Sequence, residues 1–212
     1  VAPPLISNVR RLVDRLARLP LVGRPLAASP AIELGRTAAP LADHVVIGGF
    51  GPVGRDVGAF LLDHGRDFVA IEMNPVTVRE FSAKGIPIFF GDFSNPLVLE
   101  EAGISRARAF VVAAPDVAAV HRAVRVARAI NPRLVIVART KYRTIAADIL
   151  KAGATEVVEE EFETALEMVA RIARTLDLER GTVADHMASQ RLERYGGEGA
   201  PRPETEGDRA AD

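Results

Sequence analysis

The chain has 212 residues, 27 Lys and Arg against 28 Asp and Glu, and no cysteine. Such a balance lacks the cationic surplus that phosphate-backbone binding needs, so nucleic acid is not an expected partner. The missing thiol excludes disulfides, thiolate nucleophiles and Cys-based zinc or iron–sulfur sites, and no apolar run reaches the ~18 residues of a membrane span.

In chain order, "LISNVRRLVDRLARL" (5–19) sets Leu5, Val9, Leu12, Leu16 and Leu19 on one helical stripe with Arg10, Arg11, Arg15 and Arg18 off it. A basic amphipathic helix is expected, which docks on protein or lies on a membrane surface. The opening "VAPPLISNVRR" has no basic n-region followed by an apolar h-region, so it does not read as a signal peptide, and the first residue, Val1, leaves open that the chain is cut from something longer. Pro20, Pro25, Pro30 and Pro40 then mark residues 20–43 as a semi-rigid linker.

From His44 short apolar runs alternate with helix-period segments. "HVVIGG", "DFVAIE", "IPIFFG", "RAFVVAA", "RLVIVAR" and "TEVVEE" read as six strands. The helices between them are "PVGRDVGAFLLDHG", "NPVTVREFSAKG", "NPLVLEEAG", "DVAAVHRAVRVARAI" and "KYRTIAADILKAG", several ending at a glycine suited to a left-handed cap. Runs without polar alternation suit strands buried on both faces, hence an α/β, Rossmann-like, doubly wound parallel six-stranded sheet. A further helix, "EFETALEMVARIARTLDL" (161–178), carries Phe162, Leu166, Met168, Val169, Ile172, Ala173 and Leu176, a stripe that closes the sheet or meets a partner. "HMASQRLERYGG" offers one more helix, and the polar, Gly- and Pro-rich tail from about residue 197 is expected to be disordered. The expected organisation is thus 1–43 N-terminal basic helix and linker, 44–160 nucleotide-binding domain, 161–196 helical extension and 197–212 tail.

The nucleotide assignment rests on the glycines. Gly49, Gly51 and Gly54 form G-x-G-x-x-G after the first strand and open the first helix, and Glu72 ends the second strand eighteen residues after the last of them. Gly49 permits the turn, Gly51 lets a pyrophosphate approach the backbone, and Gly54 lets helix pack on strand. The helix N-terminus supplies N–H groups for phosphate, and Glu72 would accept from the ribose hydroxyls and disfavour a 2′-phosphate. Arg55 softens that preference only if it folds back over the phosphates. In "GDFSNP" (91–96) Ser94 or Asn95 reads as a helix cap with Pro96 behind it, while Asp92 lies beside the expected adenine. Pro115 and Asp116 read first as a helix start and second as neighbours of the pyrophosphate.

No catalytic residue and no metal site are expected. A dehydrogenase needs a substrate pocket and an acid or base near the nicotinamide, and nothing of that size follows residue 178. His44, His64, His121 and His186 are scattered, no Tyr-x-x-x-Lys pair occurs, and "EEEFE" (159–163) is more simply a helix start than a metal site. The alternative that stays open is a small NAD-dependent oxidoreductase completed by a partner chain.

The segments "GGFGPVG", "VAIEMNP", "GIPIFFGDFSNPLVLEEAGI", "ARAFVVAAPD" and "VIVARTKYRTIAADILKAGATEVVEEEFETALEMVARI" together resemble the RCK domain, also called TrkA-N or KTN. They are most similar to the C-terminal cytosolic domains of Kef-type monovalent cation/proton antiporters, over about residues 43–178. The resemblance implies a regulatory module on the cytoplasmic face of the cell membrane, binding NAD(H) or AMP, ADP or ATP. It also implies pairing into a homodimer and control of potassium or other monovalent cation flux through an attached or associated transporter or channel. Carried over by position, Gly49, Gly51, Gly54, Glu72 and Asp92 hold the nucleotide. Phe50, Pro52, Val53, Met73, Phe93, Ala113 and Ala114, which fall between or beside them, are expected to line the cofactor site too, and Arg139 is a candidate phosphate or dimer-partner contact. Where many members have arginine between the second and third glycines this chain has Pro52, so the resemblance carries no phosphate contact there. The helices "DVAAVHRAVRVARAI" and "KYRTIAADILKAG" have apolar faces on which the dimer is expected to form.

Overall fold

The structure, a computed structural model, describes residues 41–196. The basic helix, nearly all of the proline linker and the C-terminal tail lie outside the described residues. Strand and helix alternate as β1 (Val45–Gly48), α1 (Pro52–Asp63), β2 (Phe68–Glu72), α2 (Pro75–Ser82), β3 (Ile88–Phe90) and α3 (Pro96–Glu101). A 3₁₀ turn (Ile104–Arg106) leads into β4 (Ala109–Val112), α4 (Val117–Ile130), β5 (Val135–Thr140), α5 (Arg143–Lys151) and β6 (Glu156–Glu159), and α6 (Glu160–Thr175) and α7 (Arg180–Tyr195) follow.

The six strands form the expected parallel sheet, and their order in it is β3-β2-β1-β4-β5-β6. Successive strands step outward from β1 in one direction and from β4 in the other. A crevice therefore opens between the carboxyl ends of β1 and β4, where open parallel sheets receive ligands. Val46, Ile47, Val69, Ala70 and Ile71 are wholly buried, which is possible only with both faces covered. Ile47, Phe68, Ala70 and Ile88 meet Leu61 and Val57 of α1 and Val78 and Phe81 of α2. The opposite face carries Phe110, while Leu99, Val120, Val124 and Ile149 of α3, α4 and α5 are wholly buried too. Each such side chain contributes roughly 1.5–3 kcal/mol through burial.

β6 departs from the expectation of strands buried on both faces. It is the sheet edge, and exposed Glu156 and Val158 alternate with buried Val157 and Glu159. The stripe of α6 also divides: Leu166 and Ala173 turn inward, joined by Ala170, whereas Met168, Ile172 and Leu176 are 65%, 55% and 62% exposed.

Helix α7 begins at Arg180, six residues ahead of the segment that sequence suggested, and buries none of its residues. Polar contacts hold it. Arg191 Nη2 meets Glu163 Oε2 at 2.8 Å, Arg194 forks onto Glu159, and the Glu159 N–H donates to Tyr195 Oη at 3.3 Å. The Tyr195 ring stands edge-on to Phe162, and burial first of all pushes its phenol above the ordinary range, so Tyr195 stays neutral in its clasp. Arg194→Ala would leave Glu159, which is 8% exposed, without its counter-ion. Breaking a buried pair costs about 3–5 kcal/mol, and the residual access of this one places it at the lower end. Amide exchange in α7 is expected to rise towards the unprotected rate while β1 to β5 stay protected; unchanged exchange in α7 would show that this ion pair does not hold the helix.

Candidate functional site

The turn after β1 is built as the glycine spacing requires. Gly49 has φ +91°, and a Cβ on it would lie 3.2 Å from Ala114 Cβ. Its N–H donates to the Ile71 carbonyl at 2.9 Å, tying the turn to β2. Gly54, buried in the first turn of α1, has no room at all: a Cβ there would stand 2.1 Å from the Gly49 carbonyl oxygen. Gly51 is the opposite case, since a Cβ on it meets nothing within 4 Å. The space above it is open to the crevice.

Gly51 is also the N-cap of α1, with Pro52 next, and it gives the first turn no side-chain acceptor. α2, α3 and α4 differ, being capped by Asn74 on Val76 N–H, Asn95 on Leu97 N–H and Asp116 on Ala119 N–H. Their capping readings hold for Asn95 and Asp116. The N–H groups and positive dipole end of α1 remain directed at the crevice, an arrangement that suits an anion.

Glu72 reaches the same loop from β2. Its Oε2 accepts from Phe50 N–H and its Oε1 from Asn74 N–H, both at 2.7 Å. The carboxylate therefore fixes the glycine turn itself, a task the sequence did not reveal, and each oxygen keeps a lone pair that a ribose hydroxyl could use. Phe50, buried, packs under the loop on Phe68 and Phe81, while Pro52 and Val53 are exposed at the helix start. Arg55 does not fold over the loop's open side; its Nε donates to the Phe50 carbonyl at 3.0 Å and its guanidinium lies on Phe81.

Asp92, after β3, accepts the N–H and the hydroxyl of Ser94 on Oδ1, both at 2.8 Å, which gives it a local structural task as well. Ser94 is accordingly no cap. Phe93 is buried against Gly48, and Met73 is 56% exposed at the end of β2. Ala113 and Ala114 follow β4 under the Gly49 turn, and Arg139 Nε donates to the Ala113 carbonyl at 2.8 Å. The expected residues thus gather along the carboxyl ends of β1, β2, β3, β4 and β5. None of the four histidines joins them: His44 is buried at the amino end of β1 on the Ala102 carbonyl, His64 caps α1, His121 lies on α4 and His186 on α7.

The sequence missed Arg139's second partner, Glu160 at the start of α6, whose Oε1 lies 2.9 Å from Nη1. The only signal was the acidic cluster "EEEFE", which reads as a helix start and does so here.

Sheet order, glycine turn and open crevice together define a Rossmann-like domain of the kind that receives a nucleotide at the β1–β4 switch point. Residues 45–160 match the TrkA-N domain model, and the chain belongs to that family, the RCK or KTN domains, as the resemblance implied. It is 30% identical over 155 residues, 73% of its length, to a KefB-type K(+) efflux antiporter sequence of Alkalimonas amylolytica, of which it spans 23%. Among solved structures it is similar to the Kef C-terminal domain of Shewanella denitrificans in its AMP-bound form, with 28% identity, TM-score 0.60, and 71% of this chain and 91% of that one covered. A second is the TrkA-N domain of the inner membrane protein ybaL from Escherichia coli, with 30% identity, TM-score 0.59, and 61% and 96% covered. The chain thus spans about a quarter of the length of the antiporter it matches. No helix among the described residues is long and apolar enough to cross a membrane.

Proposed function

We propose that this chain is a nucleotide-sensing regulatory domain of a monovalent cation transporter, most simply a potassium/proton antiporter, acting at the cytoplasmic face of the membrane and without catalysis of its own. The observation that carries the reading is Gly51: its Cβ position is open, it leaves the first turn of α1 uncapped, and it stands at the topological switch point. The phosphate sits there, the ribose on Glu72 and the adenine between the ends of β2 and β3 near Asp92, Phe93 and Met73. The nucleotide is an AMP, ADP, ATP or NAD(H) species; the AMP-bound form of the similar Kef domain supports an adenine nucleotide.

The domain works as a homodimer in this reading. The apolar residues of α4 are largely used in the core, and the groove between α4 and α5 mixes Val117, Ala118 and Ile145 with Arg122, Arg125 and Lys151. The exposed Met168 and Ile172 of α6, with Leu176 at its C-cap, are the more apolar surface for a second copy.

Calorimetric titration of the chain with AMP, ADP, ATP, NAD and NADH tests the site. At least one should bind, and Glu72→Ala should weaken it by about 1–3 kcal/mol, since a charge-assisted bond is lost and Phe50 N–H is released. If no adenine nucleotide binds, or if Glu72→Ala binds as the parent does, the assignment fails.

A further inference from the structure

The helices that follow β4 and β5 carry a cationic groove that the nucleotide site does not use. Between α4 and α5 lies a depression of about 850 Å³, lined by Val117, His121, Arg122 and Arg125 on one side and by Ile145 and Lys151 on the other. Arg122 and Arg125 are exposed, stand three residues apart on one helix face, and repel each other there. Among the described residues neither enters an ion pair. The groove's own acid, Asp148, faces Lys151 at 3.7 Å, an exposed pair that contributes little. Val117 and Ile145 are half-buried between the charges. A rim of cations over an apolar floor complements an extended, anionic segment.

The chain supplies such a segment just beyond α7. The Glu159 N–H donates to Tyr195 Oη and Arg194 holds the Glu159 carboxylate, so the end of α7 is pinned at the carboxyl end of β6. Glu159 is the register partner of Thr140 on β5, and α5, one wall of the groove, begins three residues after Thr140. Residues 197–212, outside the described residues, carry Glu198, Glu204, Glu206, Asp208 and Asp212 against Arg202 and Arg209. Glu204 follows Tyr195 by nine residues, up to ~30 Å of extended chain. The nine residues of α5 extend only ~14 Å, so the tether spans the groove with slack. Other occupants meet opposition. The basic stretch 5–19 would bring Arg10, Arg11, Arg15 and Arg18 against Arg122 and Arg125, and a two-fold contact through the groove would set each copy's cations on the other's.

We propose that the acidic stretch 204–208 docks in the α4–α5 groove of its own chain, with its carboxylates on Arg122 and Arg125. Pro201 and Pro203 stiffen the approach and lower the cost of ordering it. No single pair is strong at such exposure, but a segment tethered to the same chain meets the groove at an effective concentration of about millimolar. The docked tail needs no nucleotide. It covers the cationic face that an anionic membrane or partner would otherwise meet.

Because the chain has no cysteine, Gly207→Cys in the full chain takes a single nitroxide, and broadening of amide signals shows which surface lies near it. Signals of residues 117–125 and 145–152 should broaden at ~0.1 M salt and recover at ~1 M, where the Debye length falls from about 10 to about 3 Å. Arg122→Glu with Arg125→Glu should reduce the broadening roughly 10-fold, two attractive contacts having turned repulsive. Both arginines are exposed, and an unchanged amide pattern in the sheet reports that the variant is folded. Adding Glu204→Arg and Glu206→Arg to that variant should restore the broadening, a rescue that a merely structural effect would not give. Broadening that ignores the reversals, or that falls on another face, would overturn the docking. So would broadening seen only between a spin-labelled chain and a separate isotope-enriched one, which would put a second copy's tail in the groove. Pelleting with phosphatidylglycerol vesicles that depends on Arg122 and Arg125, in a chain without the broadening, would give the groove to a membrane instead.

Discussion

Gly54→Ala is expected to cost the domain roughly 3 kcal/mol or more, at the upper end of overpacking effects. The added Cβ would lie 2.1 Å from the Gly49 carbonyl oxygen and 3.4 Å from Ile47 Cγ2. The obstacle is backbone, and it has no simple retreat. Gly49 already uses a φ of +91°, its N–H is bonded to β2, and the neighbouring Phe50 N–H is held by Glu72. Relief must come from lifting α1 off β1, which parts Leu61 and Val57 from the core around Phe50 and Phe68. At about 2–4 °C per kcal/mol for a domain of this size, Tm should fall by roughly 6–12 °C. Gly58→Ala is the control, because its Cβ would meet only the Phe50 and Phe68 rings, at 3.1 and 3.2 Å, and rings can tilt. Equal melting of Gly54→Ala and the parent would mean that helix and strand are not packed this closely.

The spacing of Gly49, Gly51 and Gly54 made this contact legible before any coordinates, because each glycine answers to a local backbone need. β1 and β2 were legible for a related reason: a strand covered on both faces needs an unbroken apolar run, and few other structures do. β6 also lay where the sequence put it, but as an edge strand it buries only alternate residues. The start of α7 was not legible, since a helix that buries none of its residues has no apolar period to betray it. Glu72 was half legible. Its place after β2 marks a ribose acid, yet its bonds to Phe50 and Asn74 N–H depend on how two loops approach in space. The Arg139–Glu160 pair was hidden altogether, because it joins residues from two elements, and a run of acids reads locally as nothing more than a helix start.

Gly51→Val should separate the two roles of the glycine loop by abolishing nucleotide binding in a protein that still folds. Gly51 has φ −71° and ψ −165°, an extended conformation that a β-branched residue accepts, and nothing lies within 4 Å of its Cβ position. The only structural penalty is a poorer N-cap, about 1 kcal/mol, so Tm should drop by only a few degrees. The isopropyl group, however, would fill the space over the first turn of α1. A phosphate kept out of that space loses the hydrogen bonds of the helix N–H groups, each worth about 1.5–3 kcal/mol to a charged acceptor. Losing two of them amounts to at least roughly a 100-fold fall in affinity, for AMP and ADP alike, because both share the phosphate at this position. Paired measurements of melting and calorimetric affinity make the outcome decisive. A folded Gly51→Val protein that binds nucleotide like the parent would move the phosphate away from α1, whereas one that loses binding and melts within a few degrees of the parent ties the open space above Gly51 to the ligand.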